Sequence, residues 1–486
     1  MLIAGALMVL AFAPFEIWVL AIISLAALFF MWSRRDGAQA ALLGYCFGLG
    51  LFGVGVSWLH ISINLFGGVS LLGSYLITFT LVAFLALYPA LVGYLSGRYF
   101  SRSIFPGLLV AIPTTWVVVE WCRSWIFTGF PWLNLGYSMI DTWFVGLAPI
   151  TGVYGIGWIT AICAAICAAL ISVSGRCRVI LALSLCALTT LGFFSHRIHW
   201  TTADPDTRSV ALVQAAIPQQ LKWDPKIQRH TLDLYLDLTR PWWGKDLIIW
   251  PETAIPMFYQ DATPLLNALQ KKATTTNTGM IIGVPYRDSD QHKYFNSIIT
   301  LGKQREIYHK RHLVPFGEYL PFDQLIRPIL DTMGIPMSNF SSGDARPLLL
   351  ADGIPVGVSI CYEDVFGEEV IDALPEAKVL VNVSNDAWFG DSLAPHQHLE
   401  MARMRAAETG RYLLRATNTG ISAIIDETGK IKSESPQFKP DALIGTVTLF
   451  SGSTPYSVYG NYLVVLLAIL VLLACYYLER KPEKSD

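Results

Sequence analysis

The stretch VGVSICYEDVF, residues 356–366, places one cysteine at the end of a predicted strand. Small and β-branched residues run up to Ile360, a pattern typical of a buried strand. Cys361 ends this run, and aromatic and acidic residues follow at once. A strand that ends in a sharp turn presents its last side chain at the edge of the sheet. The pattern therefore suits a cysteine nucleophile, and a free cysteine packed in the core is an equal alternative from the residues alone.

Other short apolar runs surround this stretch between residues 198 and 458. Strands that are apolar on both faces and alternate with helices indicate an α/β domain with covered sheets. The predicted helices cover 226–240, 263–276, 365–373 and 396–410. The predicted strands are 209–215, 246–252, 279–286, 296–301, 354–361, 379–385 and 422–429.

The rest of the chain is apolar enough for a membrane protein. Of 486 residues, 53% are hydrophobic and 15% are charged, whereas about 25% are charged in an average globular protein. The mean hydropathy is +0.45. Residues 1–197 are predicted to form an N-terminal membrane bundle, and 459–480 a C-terminal transmembrane helix. The seven candidate spans of the bundle are 1–13, 16–32, 39–58, 70–97, 104–120, 145–173 and 178–195.

The basic residues of the short loops predict the orientation of the eight spans. Loops rich in arginine and lysine stay in the cytoplasm. This places both termini inside, with 481–486 as a cytoplasmic tail and 198–458 as a periplasmic domain. The basic loop residues that predict this orientation are Arg34, Arg35, Arg98, Arg102, Arg176, Arg178, Arg480, Lys481 and Lys484.

The cysteine and histidine pattern favours a reactive thiol over a metal site. Seven of the eight cysteines lie in or beside predicted spans, and Cys361 alone lies in the outward domain. An unpaired thiol in an exported domain is a candidate reactive group. His309 and His312 have no nearby Cys/His partner set, so we expect no metal. The net charge of −2 also argues against a nucleic-acid partner.

Two further charged residues follow strand-like segments. Glu252 ends LIIWPE, where Trp250 and Pro251 limit its solvation and favour a raised pKa that suits a general base. Lys310 lies in YHKRHLVPFGEYLPF and could lower the pKa of a neighbouring thiol or stabilise an oxyanion. A surface glutamate and a solvated basic turn are the alternatives.

Glu252, Lys310 and Cys361 follow one another in an order that resembles the Glu–Lys–Cys triad of the carbon–nitrogen hydrolase (nitrilase) superfamily. The predicted spans and the motifs GFPWLNLGY, PFGEYLP, CYEDVF and NDAWFGDS narrow the resemblance to the apolipoprotein N-acyltransferase family. This resemblance implies an αββα four-layer sandwich of the nitrilase type at 198–458, beside a polytopic helical bundle of eight spans. It also implies a bacterial inner-membrane enzyme without a cofactor, which we expect to be a monomer.

The resemblance implies an acyl transfer in two steps. Cys361 would attack the sn-1 ester of a phospholipid and form a thioester, with Glu252 as general base and Lys310 stabilising the oxyanion. The chain would then pass to the α-amine of the diacylglyceryl-cysteine of an apolipoprotein, the last step of bacterial lipoprotein maturation. The nearest alternative is a membrane-anchored amidase or nitrilase, with water as the acceptor. A transporter or scaffold leaves the Glu–Lys–Cys order unexplained.

Four more residues receive roles from the same resemblance, and two others are candidates because they are bulky and apolar on a predicted loop. Glu318 and Glu363 would position Lys310 and the thiol. Trp223 and Tyr362 would shape the substrate pocket, with core packing as the alternative for Trp223. Trp388 and Phe389 would form a lid that meets lipid, or would pack under their loop.

Overall fold

A computed structural model describes residues 1–100, 103–288, 290–321, 323–324, 327 and 339–480. The predicted tail at 481–486, with Lys481 and Lys484, lies outside the described residues, as does Arg102. The chain divides into two compact units. The first contains Met1–His60, Leu71–His199 and the chain from Tyr459 onward, and the second contains Ile61–Ser70 and Trp200–Val458.

Long apolar helices build the first unit. In the described part of the chain, six helices are long and apolar enough to cross a membrane: Gly37–Gly55, Leu71–Tyr99, Ile104–Arg123, Trp143–Ser172, Gly175–Ser195 and Tyr462–Glu479. Two further apolar helices, Leu2–Ala11 and Val19–Trp32, are shorter than the roughly 20 residues that a span needs. The predicted count of eight spans is therefore not confirmed, although the predicted positions coincide with helices.

The individual helices of this unit pack closely where glycines face a neighbour. A Cβ atom added to Gly5 would lie 2.0 Å from the main-chain oxygen of Phe47, and one added to Gly50 would lie 2.0 Å from that of Leu2. Small residues thus let two helix backbones approach each other, as is common in membranes. The helices are α1 (Leu2–Met8), α2 (Val19–Trp32), α3 (Gly37–Gly55), α5 (Leu71–Leu85), α6 (Leu87–Tyr99), α7 (Ile112–Arg123, preceded by a π-helical segment Ile104–Ala111), α8 (Ala148–Ser172) and α9 (Gly175–Ser195). The short helix α4 (Leu59–Leu65) lies mostly in the second unit.

Two six-stranded sheets form the centre of the second unit. The first sheet has the strand order β12-β1-β2-β3-β4-β5, and the second has the order β11-β10-β9-β8-β7-β6. The strands are β1 (Thr201–Gln214), β2 (Leu247–Ile249), β3 (Gly279–Asp288), β4 (Lys293–Leu301), β5 (Ile307–His309), β6 (Leu348–Ala351), β7 (Ile354–Ile360), β8 (Val379–Ser384), β9 (Leu413–Thr417), β10 (Ala423–Ile425), β11 (Ile431–Glu434) and β12 (Asp441–Gly452).

The sheets pack face to face, with helices on their outer sides. Alternate residues of a strand point to opposite faces, so Ile249 of β2 joins the core between the sheets while Ile248 packs under helices. The outer helices are α10 (Pro225–Thr239) and α11 (Thr263–Thr276) on the first sheet, and α13 (Leu393–Thr409) on the second. This is an α/β domain with two sheets in four layers. The remaining helices are α12 (Gly367–Val370), α14 (Pro455–Tyr459) and α15 (Tyr462–Arg480).

Candidate active site

Cys361 stands at the carboxyl end of β7, where the backbone turns sharply. Its φ angle is 51°, in the left-handed region that non-glycine residues rarely occupy, and a 3₁₀ turn (Cys361–Val365) begins there. Such strain costs of order 1–3 kcal/mol and is concentrated at functional sites. The side chain keeps partial solvent exposure, unlike its charged neighbours. Cys361 thus stands at the sheet edge, where it is partly buried and packs against the core between the two sheets.

Glu252 follows β2 and is buried, with 8% of its surface exposed. The Asn296 side-chain amide donates a hydrogen bond to its Oε1 at 2.6 Å. Its Oε2 is also buried and has no hydrogen-bond partner among the described residues. Burial raises the pKa of Glu252, and the positive charges of Lys310 and Lys222 oppose this. The carboxylate therefore offers one free oxygen to a proton.

Lys310 directly follows β5 and is 1% exposed. Its Nζ lies 2.7 Å from Oε2 of Glu318, which also accepts a hydrogen bond from the Val314 main chain. Burial opposes the charge on Lys310, but Glu318 and then Glu252 outweigh burial and raise its pKa. The ammonium is consequently a fixed positive charge at neutral pH.

The charges of Glu252 and Lys310 both affect the pKa of the Cys361 thiol. Burial raises its pKa most, the Glu252 carboxylate raises it further, and the Lys310 ammonium opposes the rise. The sulfur consequently holds its proton at neutral pH and needs a base before it can attack. Glu252 has the free oxygen for this task, and Lys310 has the charge that stabilises the resulting anion.

Glu363 holds together the segments that carry Lys310 and Cys361. Its Oε1 accepts hydrogen bonds from the Tyr308 hydroxyl at 2.8 Å and from the Arg311 main chain at 2.6 Å. Its Oε2 accepts one from the Ile360 main chain at 2.7 Å. Burial raises the pKa of Glu363 to about 7, and the Lys310 charge opposes this. Glu363 therefore fixes the end of β5 to the end of β7.

The predicted pocket and lid residues have varied surroundings. Tyr362 is buried, and its ring packs against His312 and Phe366. Trp223 is 53% exposed, so the core-packing alternative does not hold. Trp388 is 37% exposed and contacts the ring of Phe66 edge-on, at 4.9 Å between centroids. Trp388 and Phe389 both lie in a short 3₁₀ turn, Asp386–Phe389.

Sequence reasoning missed several buried polar residues around this site. Lys222 is 4% exposed, and its Nζ donates to the main-chain oxygen of Glu252 at 3.1 Å. Asn296 bridges Glu252 and Glu318 through its side-chain amide. Neither residue stands in a motif, and their partners lie 30 and 22 to 44 positions away in the chain. The only signal was a lysine between apolar residues in LKWDP.

A second polar cluster lies where β7, β8 and β9 end. His398 of α13 contacts carboxylates on both sides, with Nε2 2.8 Å from Asp364 and Nδ1 3.0 Å from Asp386. Arg415 of β9 pairs with the same two carboxylates at 3.0 and 3.1 Å. Burial and Arg415 lower the pKa of His398, but Asp364 and Asp386 outweigh them and raise it.

Part of this cluster has the donor types that zinc prefers. One ligand atom from each of Cys361, Asp386 and His398 lies within 4.8 Å of the others. Arg415 occupies the same space, since its guanidinium lies 2.8 Å from His398 Nδ1 and 3.1 Å from Asp386. A divalent ion would have to displace this cation, so the donor set fits a charge network better than a metal centre.

Comparison with known proteins defines the class first. The carbon–nitrogen hydrolase family model matches residues 209–452, which contain Glu252, Lys310 and Cys361. The model of the apolipoprotein N-acyltransferase N-terminal domain matches residues 4–166. A solved carbon–nitrogen hydrolase superfamily protein from Xanthomonas campestris covers 54% of this chain and 97% of its own, at 19% identity and a TM-score of 0.37.

Full-length relatives then define the family. Apolipoprotein N-acyltransferase of Methylococcus capsulatus is 43% identical over 100% of this chain and 96% of its own length. That of Nitrosomonas europaea is 43% identical over 97% of this chain and 95% of its own length. The chain belongs to the apolipoprotein N-acyltransferase family, an acyltransferase family within the carbon–nitrogen hydrolase superfamily.

Proposed function

We propose that this enzyme moves the sn-1 acyl chain of a phospholipid to the α-amine of the diacylglyceryl-cysteine of an apolipoprotein. One observation carries the chemistry. A partly exposed, protonated thiol lies within the electrostatic reach of a buried carboxylate with a free oxygen and of a buried ammonium. Membership of the family supports the choice of substrates. No cofactor is needed, because each proton and charge in the sequence of steps has a side chain to hold it.

In the first step, Glu252 takes the proton of Cys361 and the thiolate attacks the ester carbonyl. Lys310 stabilises the negative charge on the former carbonyl oxygen. The carbon–oxygen bond then breaks, Glu252 returns its proton to the leaving lysophospholipid, and the acyl chain remains on the sulfur as a thioester.

In the second step, the amine of the acceptor attacks the thioester. Glu252 takes a proton from the amine and Lys310 again stabilises the oxyanion. The carbon–sulfur bond then breaks, and Glu252 passes its proton to the sulfur, which regenerates the thiol. Glu318 positions Lys310, and Glu363 positions the ends of β5 and β7. Trp223 and Tyr362 shape the substrate pocket, and Trp388 and Phe389 form its lid.

We also propose that the enzyme is a monomer in the bacterial inner membrane. The two shorter apolar helices at Leu2–Ala11 and Val19–Trp32 complete eight spans. The bundle is then residues 1–197, the catalytic domain 198–458 and the last span 459–480. The basic loops support cytoplasmic termini and a periplasmic catalytic domain.

A donor–acceptor assay tests this function. The purified enzyme receives a phospholipid with a labelled sn-1 chain, together with a diacylated lipopeptide whose N-terminus is free. We expect the label on the lipopeptide amine, because the amine outcompetes water for the thioester. A control lipopeptide with an acetylated N-terminus should accept no label. Release of the label mainly as free fatty acid, with or without the acceptor, would instead identify a hydrolase with water as its acceptor.

A further inference from the structure

The residues next to Trp223 invert the usual distribution of polar and apolar side chains. Lys222 is 4% exposed, while its apolar neighbours Leu221 and Trp223 are 42% and 53% exposed. Lysine is almost never fully buried unless it is paired, so a buried lysine between exposed apolar residues calls for an explanation. Among the described residues, no carboxylate forms a salt bridge with Lys222, whose ammonium donates a hydrogen bond to a main-chain oxygen.

Hydrogen bonds fix the segment that carries this lysine. The Asn418 side chain accepts a hydrogen bond from the Ile217 main-chain N–H at 3.0 Å and donates one to the Ile217 oxygen at 2.7 Å. Asn385 donates to the side chain of Gln219 at 2.7 Å. Lys222 is therefore held in the site by the fold, and its burial is not a chance rotamer of a loose loop.

Two titratable groups of the site face Lys222 among the described residues: Glu252 and Cys361. Lys310, by contrast, is paired with Glu318 at 2.7 Å, so this pair carries little net charge. Lys222 has no such partner and adds a second positive charge to that of Lys310, which acts on Glu252 before the thiol proton moves and on the sulfur afterwards. Burial lowers the pKa of Lys222 to about 8, and the charges of Glu252 and Cys361 oppose this fall.

We infer that Lys222 is a second cation of the active site, which positions Glu252 through its main-chain oxygen and stabilises the thiolate form of Cys361. The step is a proton transfer: the S–H bond of Cys361 breaks, an O–H bond forms on Glu252, and the negative charge moves to sulfur while Lys222 keeps its proton. The role of Lys222 in acyl transfer rests on the proposed function, whereas the effect of Lys222 on the Cys361 thiol does not.

Alkylation of Cys361 by iodoacetamide tests the inference in the full-length enzyme. Mass spectrometry of the peptide that contains Cys361 gives the alkylation rate from pH 6 to pH 10. In Lys222→Met we expect alkylation to slow by about tenfold or more at pH 7, where Lys222 is charged, because loss of a nearby cation raises a thiol pKa by about one unit or more. Acyl-enzyme formation from phospholipid should slow in parallel.

Thermal stability distinguishes this electrostatic role of Lys222 from a purely structural role. Removing a buried charge that lacks a carboxylate partner should leave the melting temperature of Lys222→Met unchanged or higher. The exposed Lys226→Met is the matched control and should behave as wild type. An alkylation rate at pH 7 in folded Lys222→Met equal to that of wild type would overturn the inference.

The Lys222→Arg variant decides the question if uncharged variants do not fold. Its guanidinium stays charged, so it should restore the wild-type alkylation rate at pH 7 and should remove any fall in acyl-enzyme formation above about pH 8. A fall at the same pH in Lys222→Arg and wild type would contradict the role. Since alkylation needs no acyl donor, failure of the proposed acyl transfer would leave the alkylation results intact.

Discussion

At the residue scale, the proposed mechanism makes Cys361 and Glu252 one proton-sharing pair. Burial raises the pKa of both groups, and the negative charge of Glu252 raises that of the thiol further. A high thiol pKa protects a cysteine from oxidation, since only the thiolate reacts readily. The nucleophile is therefore generated by proton transfer within the site instead of standing ready as a thiolate.

The Glu252→Gln variant separates the role of Glu252 as a proton acceptor from the effect of its negative charge. Glutamine keeps an acceptor for Asn296 but cannot take a proton, so acyl-enzyme formation should fall by about 10²–10⁴-fold. Loss of the negative charge should lower the thiol pKa at the same time, so the midpoint of iodoacetamide alkylation should move to lower pH. The resulting faster alkylation at pH 7 is opposite in direction to the change expected for Lys222→Met.

The exposed Glu434→Gln on β11 provides the control for Glu252→Gln and should alter neither readout. If Glu252→Gln formed the acyl-enzyme at the wild-type rate, another group would have to be the base.

The sequence predicted those site residues that end a recognisable strand. Glu252, Lys310 and Cys361 each follow an apolar run, and a family motif surrounds the latter two. Lys222 and Asn296 were missed because their roles depend on partners that the fold brings together from distant positions. The exposure of Trp223 could not be predicted from the sequence either, since a tryptophan in a loop can pack in the core or line the rim of a pocket.

At the scale of elements, the carboxyl ends of β7, β8 and β9 bring together the charge network behind Cys361. Asn382 of β8 donates to the main-chain oxygen of Cys361 at 3.2 Å and accepts from Arg415 at 2.6 Å. Arg415 in turn pairs with Asp364 and Asp386. The strained turn at Cys361 is thereby held by three neighbouring strands.

Arg415→Met should destabilise the catalytic domain by about 3–5 kcal/mol, because it leaves two buried carboxylates without their cation. Denaturant unfolding followed by tryptophan fluorescence measures this. Arg240→Met removes a partner from an exposed ion pair with Asp237 and should cost only about 0–1 kcal/mol. Equal unfolding midpoints for the two variants would contradict a supporting role for the network.

The protonation states of Asp386 and His398 determine the pH at which this unfolding experiment should be done. The Arg415 and His398 charges outweigh burial and hold the pKa of Asp386 below its usual range, so its contribution is lost as the pH falls below about 4. The pKa of His398 is raised, so its contribution is present below about pH 6.5 and is lost as the pH rises through its folded value. The unfolding experiment therefore belongs near pH 6.

Strand prediction identified seven of the twelve described strands and missed mainly those that are short or carry polar residues. All seven predicted strands coincide with strands of the structure. β9 was missed because Arg415 interrupts its apolar pattern, β11 and β12 because they carry polar residues, and β6 because it has only four residues. β5, with three residues, was predicted only as a strand-like segment before Lys310. The predicted helix 365–373 is instead a series of short pieces that includes Gly367–Val370 and Ile371–Ala373.

At the scale of the whole molecule, the chain combines a helical unit suited to a membrane with an α/β unit that carries the candidate site. A lipid-linked donor and acceptor explain why one chain needs both. Composition alone predicted this division, because apolar helices and mixed α/β segments differ strongly in charge. It could not fix the number of spans, since Leu2–Ala11 and Val19–Trp32 are short for a bilayer.

The central claim is that Cys361 carries the acyl chain, and the intact mass of the enzyme after incubation with phospholipid alone tests it most directly. We predict a mass increase of one acyl chain, located on the Cys361 peptide and removed by hydroxylamine. Cys177→Ala, which removes another exposed thiol, should give the same adduct, and Cys361→Ala should give none. A hydroxylamine-labile acyl group at the wild-type level in Cys361→Ala would contradict the account.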